Sequence, residues 1–324
     1  MPRLGVFPRN CDLISLRMPR ELTAHSLERR TLPEESTLLA LRPDSILLDL
    51  ADTAFADISG LVCLLSWVSA VKRLRKERGE SDLPVSIHIP SPRVRTYFHR
   101  MHFFRNANIH SLFVGSDDLA REEEAALPAP HDVRPPVLPT HMALQAIPSH
   151  ASYLAVYESA CRHFVNDLIE NFGRLVFQHV DLGEEGALKF WQPNKEIHEN
   201  IYYHSGSWGV IGIELQDPFI SIACGDGGIG IKASLCAARL YHDHATDSGA
   251  IRLAVRKGVS RLKEGHGLGL YFVTQYIKRS GGELLIKSGY GRMELSNGVE
   301  RYFTSPVSRT GTQIVLRLRK AHQA

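Results

Sequence analysis

Three polar side chains recur at helical spacing in the second half of the chain. Glu196, Asn200 and His204 stand at positions i, i+4 and i+8 of a predicted helix over 195–204, so they share one face. The carbonyl oxygen of an asparagine is a hard ligand of the kind that Mg²⁺ takes together with phosphate oxygens and water. A carboxylate one turn earlier can orient or deprotonate a nucleophile. Alone, this stripe is more typical of a solvated helix face, and His204 of a structural residue.

Two glycine-rich runs follow this stripe, Asp226-Gly227-Gly228-Ile229-Gly230 and Gly265-His266-Gly267-Leu268-Gly269-Leu270. Glycine lets the backbone approach a ligand closely, and a run that opens into a helix directs free N–H groups at phosphate. The second run precedes a predicted helix over 268–278. One run alone also matches an ordinary turn, but the ordered set favours a nucleotide pocket. The nucleotide-binding residues expected from the two runs are Gly228, Gly230, Gly265, Gly267, Leu268 and Gly269.

An acidic residue opens the first run. Asp226 follows the apolar run 220–224, which we predict to be a strand. A carboxylate at that place can accept a hydrogen bond from an exocyclic amine, which would select adenine over guanine. The alternative is a plain Asp-Gly turn. Because phosphoryl transfer depends mainly on a metal and oriented donors, the combined pattern predicts a nucleotide with Mg²⁺ held by Asn200.

The composition is that of an ordinary globular protein. Of the 324 residues, 44% are hydrophobic and 23% charged, and the formal net charge is +3, which is too weak to indicate nucleic-acid binding. No apolar run is long enough for a membrane helix or a signal peptide, so we expect a cytoplasmic protein without a membrane partner. The five cysteines are widely spaced without a C-x-x-C pair, which predicts small core residues; they are Cys11, Cys63, Cys161, Cys224 and Cys236.

A proline-rich stretch divides the chain. An acidic patch at 122–124 is followed by Pro128, Pro130, Pro135, Pro136, Pro139 and Pro148. Proline removes backbone donors and stiffens the chain, which suits a semi-rigid spacer. We therefore predict a domain over 1–118, a linker over 119–147 and a second domain over 148–324.

Strands and helices alternate before the linker. Predicted strands cover 45–50, 85–89 and 110–114, and predicted helices cover 61–74 and 91–101, which indicates an α/β layer with parallel pairing. After the linker, a long helix is predicted over 151–172. Strands are expected over 208–215, 219–224, 282–287, 292–296, 301–304 and 313–318, and Asn297-Gly298 is a strong hairpin signal.

The stripe, the two glycine runs and a final Gly311-Thr312 before the closing strand resemble the N, G1, G2 and G3 boxes of the histidine-kinase-like ATPase superfamily. That superfamily, of GHKL or Bergerat fold, also holds gyrase, heat-shock chaperone and mismatch-repair ATPases. The resemblance spans about 148–320. It implies an α/β sandwich in which ATP lies between helices and a mixed sheet.

The resemblance also implies a role for each matched residue. Asp226 would read adenine, with Thr312 supporting it directly or through water. Asn200 would hold Mg²⁺, and Glu196 would be the catalytic base. Residues 231–264 would form a variable ATP lid, whose His242-Asp243-His244 is better interpreted as a solvated loop than as a metal site.

The first half, over about 10–118, resembles the STAS fold of anti-sigma-factor antagonists, in which a serine before a glycine is phosphorylated. Asp57-Ile58-Ser59-Gly60 keeps the aspartate, serine and glycine of that turn but has Ile58 in place of the first serine. Ser59 is thus a candidate phosphorylation site. We prefer the alternative that Ser59 caps the following helix.

Three functions fit these resemblances. The first is a partner-switching regulator, in which a serine-kinase-like ATPase passes the γ-phosphate of ATP to a protein. The second is an orphan histidine kinase, but the proline linker occupies the place of its helical hairpin, and His150 and His163 are poor acceptors. The third is a non-phosphorylating module in which ATP binding controls assembly with another protein. The presence of Glu196, a candidate base, argues against this third function. A protein partner or phospho-acceptor is expected in the first two cases. The sequence does not decide between a monomer and a homodimer.

Overall fold

The computed structural model describes residues 13–126 except Thr31 and His110, residues 141–147, the single residues 197, 200, 205 and 207, residues 209–259 except 217 and 238–245, and residues 269–319. The chain divides into two compact units, Met1–Gln145 with Gly212–Glu214 and Ala146–Ile211 with Leu215–Ala324. It is a mixed α/β protein with both parallel and antiparallel strand pairs. Among the described residues, no helix is long and apolar enough to cross a membrane.

A small parallel sheet forms the centre of the first unit. In chain order, the elements are β1 (Leu13–Arg17), β2 (Glu21–Leu22), α1 (Ala24–Arg30), α2 (Glu35–Ala40), β3 (Ser45–Asp49), β4 (Phe55–Ala56), α3 (Ile58–Glu77), β5 (Val85–His88), α4 (Pro92–Arg100), α5 (Phe103–Ile109) and α6 (Ser116–Ala126). The described strands β1, β3 and β5 pair in parallel in that order, and β2 pairs in parallel with β4. The predicted α/β layer with parallel pairing is confirmed in this respect.

Buried side chains alternate along β3, where Ile46 and Leu48 are fully buried. This is the period-two pattern of a strand whose one face packs on helices. Trp67 and most of the other apolar residues of helix α3 are buried as well. Helix α4 begins where the sequence predicts it, with Ser91 as N-cap and Pro92 in the first turn.

The predicted strand over 110–114 is wrong. Helix α5 ends at Ile109, and residues 111–114 form turns and bends, with Ser111 at a φ of 49°. The backbone N–H of Val114 donates a single hydrogen bond to the carbonyl of Val85, at 2.8 Å. The apolar residues of this run, Leu112 and Phe113, are buried all the same. The run is apolar because this turn is buried, and an apolar run of this length has the same sequence pattern as a buried strand.

The second unit is dominated by strands of an antiparallel ladder. The remaining described elements, in chain order, are β6 (His141–Ile147), β7 (Gly209–Gln216), β8 (Phe219–Asp226), α7 (Gly230–Cys236), α8 (Asp247–Ala254), α9 (Gly269–Ser280), β9 (Glu283–Ser296) and β10 (Val299–Arg319). The sheet order is β6-β7-β8-β10-β9, and β10 pairs antiparallel with both β8 and β9.

The predicted Asn297-Gly298 hairpin is confirmed. Val299 pairs with Ser296, so the connection has two residues, and both have positive φ, 51° at Asn297 and 75° at Gly298. These angles are those of the turn whose twist matches the flanking strands. Four strands predicted separately over 282–318 are two long strands, because bulges near Arg309 let β10 continue past its irregular middle.

Several predicted elements lie partly or wholly outside the described residues. The helix over 151–172 and the prolines of the predicted linker lie outside the described residues, while α6 and β6 occupy the two ends of that linker segment. Of the predicted helix over 195–204, Ile197 and Asn200 are described, and both are helical. Helices α7 and α8 lie in the segment expected to form a lid.

Candidate functional site

Asp226 ends β8 in a buried environment. The strand is buried from Ile220 through Asp226, because β10 covers it along one edge and the apolar core covers its faces. Only 5% of Asp226 is exposed, and its Oδ1 accepts a hydrogen bond of 2.8 Å from the backbone N–H of Gly228. This is the bond of an Asx turn. One carboxylate oxygen is therefore fixed by the turn that the glycine run forms.

The turn after Asp226 packs directly on the segment that follows the helical stripe. A Cβ atom placed on Gly228 would overlap the carbonyl oxygen of Ser205 and would lie 2.8 Å from Oδ1 of Asp226. The same Ser205 carbonyl accepts a hydrogen bond of 3.0 Å from the N–H of Ile229. Ser205 is only five residues beyond Asn200, which is helical and half-buried. The structure thus brings the end of the predicted polar helix against the first glycine run.

Two further glycines meet at the same place. Gly230 has a φ of 79° and Gly311 a φ of 82°, a region that L side chains rarely adopt. A Cβ on Gly311 would overlap the carbonyl oxygen of Asp226 and lie 2.9 Å from its Oδ1. A Cβ on Gly230 would lie 2.7 Å from Oγ of Ser288 and 3.1 Å from the carbonyl oxygen of Gly311. These positions accept only glycine, for reasons of both angle and space.

Ser288 connects the two ends of this cluster. Its buried Oγ accepts a hydrogen bond of 2.8 Å from the N–H of Ile231 and donates one of 2.8 Å to the carbonyl of Gly311. Ser288 is not among the site residues predicted from the sequence, because a serine in a strand carries no distinguishing signal. Its register partner in β10 is Thr312, beside Gly311, but that pairing is visible only once the sheet is known. We call Ser205, Asp226, Gly228, Gly230, Ser288 and Gly311 the Asp226 cluster.

Of the other predicted site residues, Thr312 adjoins this cluster, and most of the rest lie outside the described chain. Thr312 is half-buried on β10, next to Gly311. Gly269 is the first residue of α9, and the buried Leu270 anchors that end. Outside the described residues lie Glu196, His204, Gly265, His266, Gly267 and Leu268. The catalytic-base and second-run assignments therefore stay predictions.

The electrostatic effect of Asp226 is visible at a neighbouring thiol. Burial, and next the charge of Asp226, raise the pKa of Cys224 far above its ordinary value of 9.0, so this thiol stays protonated. Cys63 is also buried and free, as predicted for a core residue. Within the described ranges, no group of three or more histidine, cysteine or acidic residues could hold a metal ion. The His242-Asp243-His244 segment lies outside those ranges.

The Asp57-to-Gly60 turn in the first unit is a helix start. Asp57, in extended conformation, is the N-cap of α3 and accepts from the N–H of Gly60 at 2.9 Å. The prediction that Ser59 is the cap is therefore wrong, because Ser59 already lies inside the helix. Its hydroxyl donates to Oδ1 of Asp57 at 2.6 Å and accepts from the N–H of Ala24 at 3.0 Å, and the residue is 7% exposed.

The Asp226 cluster presents a buried, oriented carboxylate in a turn that packs on Ser205, five residues after Asn200. A carboxylate has two oxygens and about four acceptor sites, so a carboxylate that takes one backbone N–H can also accept from a ligand amine. Comparison of the chain with protein-family models gives no matching family. Comparison with curated protein sequences gives no match either.

Proposed function

We propose that the chain is an Mg-ATP-binding regulatory protein whose second half is a histidine-kinase-like ATPase domain of Bergerat fold, and that it transfers the γ-phosphoryl group of ATP to a protein. The observation that carries the proposal is the convergence of three separate segments on Asp226. The Ser205 segment, the glycine run and Gly311 all contact it or its turn. In the sequence resemblance the glycine run and Gly311 belong to two of the four boxes, and Ser205 directly follows a third, which supports one shared site.

The residues present fit adenosine nucleotide. Asp226 is a buried acceptor with one oxygen oriented by Gly228, which suits recognition of the exocyclic amine of adenine. Asn200 would contribute an amide oxygen to Mg²⁺, and the metal would neutralise charge on the phosphates. Glu196 would orient or deprotonate the attacking group. The N–H groups at the start of α9, with Gly265, Gly267, Leu268 and Gly269, would hold the phosphates, and Thr312 would support Asp226.

A protein phospho-acceptor follows from the resemblance of the first unit to the STAS fold. The parallel sheet β1-β3-β5 and the largely buried helix α3 of the first unit are compatible with that fold. Ser59, the residue at the usual acceptor position, is buried, and its hydroxyl donates to Asp57 at the start of α3 and accepts from the N–H of Ala24 in α1. Phosphorylation there would require the start of α3 to open. We therefore place the acceptor elsewhere.

Calorimetric titration with Mg-ATP tests the nucleotide site. The parent protein should bind, while Asp226→Asn and Asn200→Asp should lose binding with unchanged circular dichroism. Loss of one buried charged hydrogen bond to a ligand costs about 2 to 4 kcal/mol, or roughly 30- to 1,000-fold in affinity. Unchanged affinity in both variants would refute the site.

A phosphate-release assay tests the role of Glu196. Glu196→Ala should bind Mg-ATP with the parent's affinity and lose turnover, because a base acts on the reaction and not on ground-state binding. Glu300→Gln is a suitable control, since Glu300 pairs with Lys278 and Tyr302. Parent-like release by Glu196→Ala would exclude the base assignment.

A further inference from the structure

The carboxyl ends of the parallel strands in the first unit bring three charged or titratable residues together. Arg17 ends β1, Asp49 ends β3 and His88 ends β5, and the register pairs Arg17 with Asp49 and Asp49 with His88. Residues paired in register point to the same face of a sheet, about 5 Å apart from strand to strand. The carboxyl edge of a parallel sheet is also where α/β proteins commonly place their functional groups.

Among the residues that the structure describes, His88 is held through its Nδ1. Its Nδ1 lies 3.0 Å from Oδ1 of Asp49, while 55% of its side chain is exposed. The same Oδ1 accepts from the N–H of Ala51 at 3.1 Å, and the N–H of Leu50 donates to the carbonyl of His88 at 2.9 Å. Both backbone bonds hold the carboxylate and the imidazole in register.

The charge of Asp49 decides where the imidazole proton lies. The hydrogen bond from His88, followed by that from Ala51 and the nearby charges, lowers the pKa of Asp49 below its ordinary value of 3.8 despite an opposing effect of burial. Asp49 is therefore ionised near neutral pH and can only accept. Nδ1 of His88 must carry the proton, and in the neutral ring the lone pair then lies on Nε2.

We propose that His88 is a phospho-acceptor of this chain, phosphorylated on Nε2. This inference rests on the proposed function, because ATP bound by the second unit of the same or another copy is the donor. The Nε2 lone pair forms the N–P bond with the γ-phosphorus, the bond from that phosphorus to the β,γ-bridging oxygen breaks, and ADP leaves with its electron pair. The imidazole keeps its Nδ1 proton, and Asp49 stabilises the positive charge that the ring gains, as a carboxylate does for a catalytic histidine.

Incubating the full-length protein with γ-labelled ATP and Mg²⁺, followed by site mapping under neutral or alkaline conditions, tests this proposal. We expect an acid-labile label on His88 that His88→Asn abolishes. His25→Asn is the matched control, since His25 is exposed on α1 of the same unit, and it should label as the parent does. Asp49→Asn should slow labelling about threefold, the order of an exposed charged pair, with unchanged ATP affinity.

The possible failures can be told apart. If calorimetry shows ATP binding that depends on Asp226, but label appears on another residue or on none, the acceptor assignment is overturned and the nucleotide site stands. If ATP does not bind, the proposed function fails, and the acceptor assignment fails with it because the donor is lost. A parallel reaction with phosphoramidate as the phosphoryl donor measures the reactivity of the His88 ring independently of the nucleotide site. Equal modification of His88 in the parent and in Asp49→Asn would overturn the role of Asp49.

Discussion

Replacing Gly311 by alanine should destabilise the second unit far more than the same change at Gly298. The two glycines have similar positive φ angles, 82° and 75°. They differ in their surroundings: a Cβ on Gly298 meets nothing within 4 Å, whereas one on Gly311 overlaps the carbonyl oxygen of Asp226. The pair therefore separates the cost of the backbone angle from the cost of lost space.

The expected magnitudes follow from these two terms. Alanine in the left-handed region costs about 1 kcal/mol at either position. Relieving the overlap at Gly311 adds about 1 to 3 kcal/mol, as for other additions to close-packed sites. Moving the backbone at Gly311 to relieve this overlap also strains the hydrogen bond from Ser288 to the Gly311 carbonyl, which is worth about 1 kcal/mol. We expect losses of about 1 kcal/mol for Gly298→Ala and about 4 kcal/mol for Gly311→Ala.

Native-state hydrogen exchange of the β8 and β10 amides is the appropriate assay, carried out without nucleotide. A single unfolding midpoint could mix the two units, whereas exchange reports the opening free energy of each segment. Gly311→Ala should speed exchange in β8 and β10 and leave β1, β3 and β5 of the first unit unchanged. Equal losses for the two variants would refute the idea that packing around Asp226 requires a glycine.

Three further changes test other parts of the fold. Ser288→Ala removes two buried backbone hydrogen bonds and should cost the second unit about 2 kcal/mol by hydrogen exchange, whereas Ser280→Ala, which loses one partly buried bond of 3.3 Å, should cost under about 1 kcal/mol. Asp57→Ala should lower the unfolding free energy of the first unit by about 1 to 2 kcal/mol, and more than Ser91→Ala, because the two caps bond at 2.9 Å and 3.5 Å. Burial acts to raise the pKa of Glu300, but hydrogen bonds from a lysine and a tyrosine outweigh it and lower the pKa below 4.5. Its stabilisation is thus complete above the unfolded-state pKa and is lost as pH falls through the folded value. The parent's advantage over Glu300→Gln in urea unfolding should therefore be present at about pH 7 and be lost as the pH falls below 4.5.

Local patterns were sufficient for most of the strands and for the starts of several elements. The alternating run of β3, the Ser91-Pro92 helix start and the Asn297-Gly298 turn each depend on residues within a few positions of one another. The Ser59 cap prediction failed because Asp57 and Ser59 both precede the same apolar run. Asp57 takes the extended conformation of the cap, whereas the hydroxyl of Ser59 is bound by the N–H of Ala24, 35 positions away.

Longer-range contacts account for what the sequence could not predict of the site. Ser288 bonds to Ile231, 57 positions away, and to Gly311, 23 positions away. Nothing near Ser288 in the sequence distinguishes it from any other serine in a strand. The contact of Ser205 with Gly228 likewise depends on how the segment after the polar helix returns to the sheet. The proximity of Ser288 to Gly311 becomes visible only through the register of β9 and β10.

The glycines of the Asp226 cluster also change how the nucleotide site should be tested. A glycine motif has two physical causes that a sequence cannot separate, close approach of a ligand and close approach of the chain to itself. At Gly228, Gly230 and Gly311, the atoms that a side chain would meet belong to the protein. Substitution of these glycines would therefore displace Asp226 and lower stability whether or not a nucleotide binds. Asp226→Asn keeps the size of the side chain and an acceptor for Gly228, so a loss of ATP affinity in that variant reports the ligand contact and not the packing.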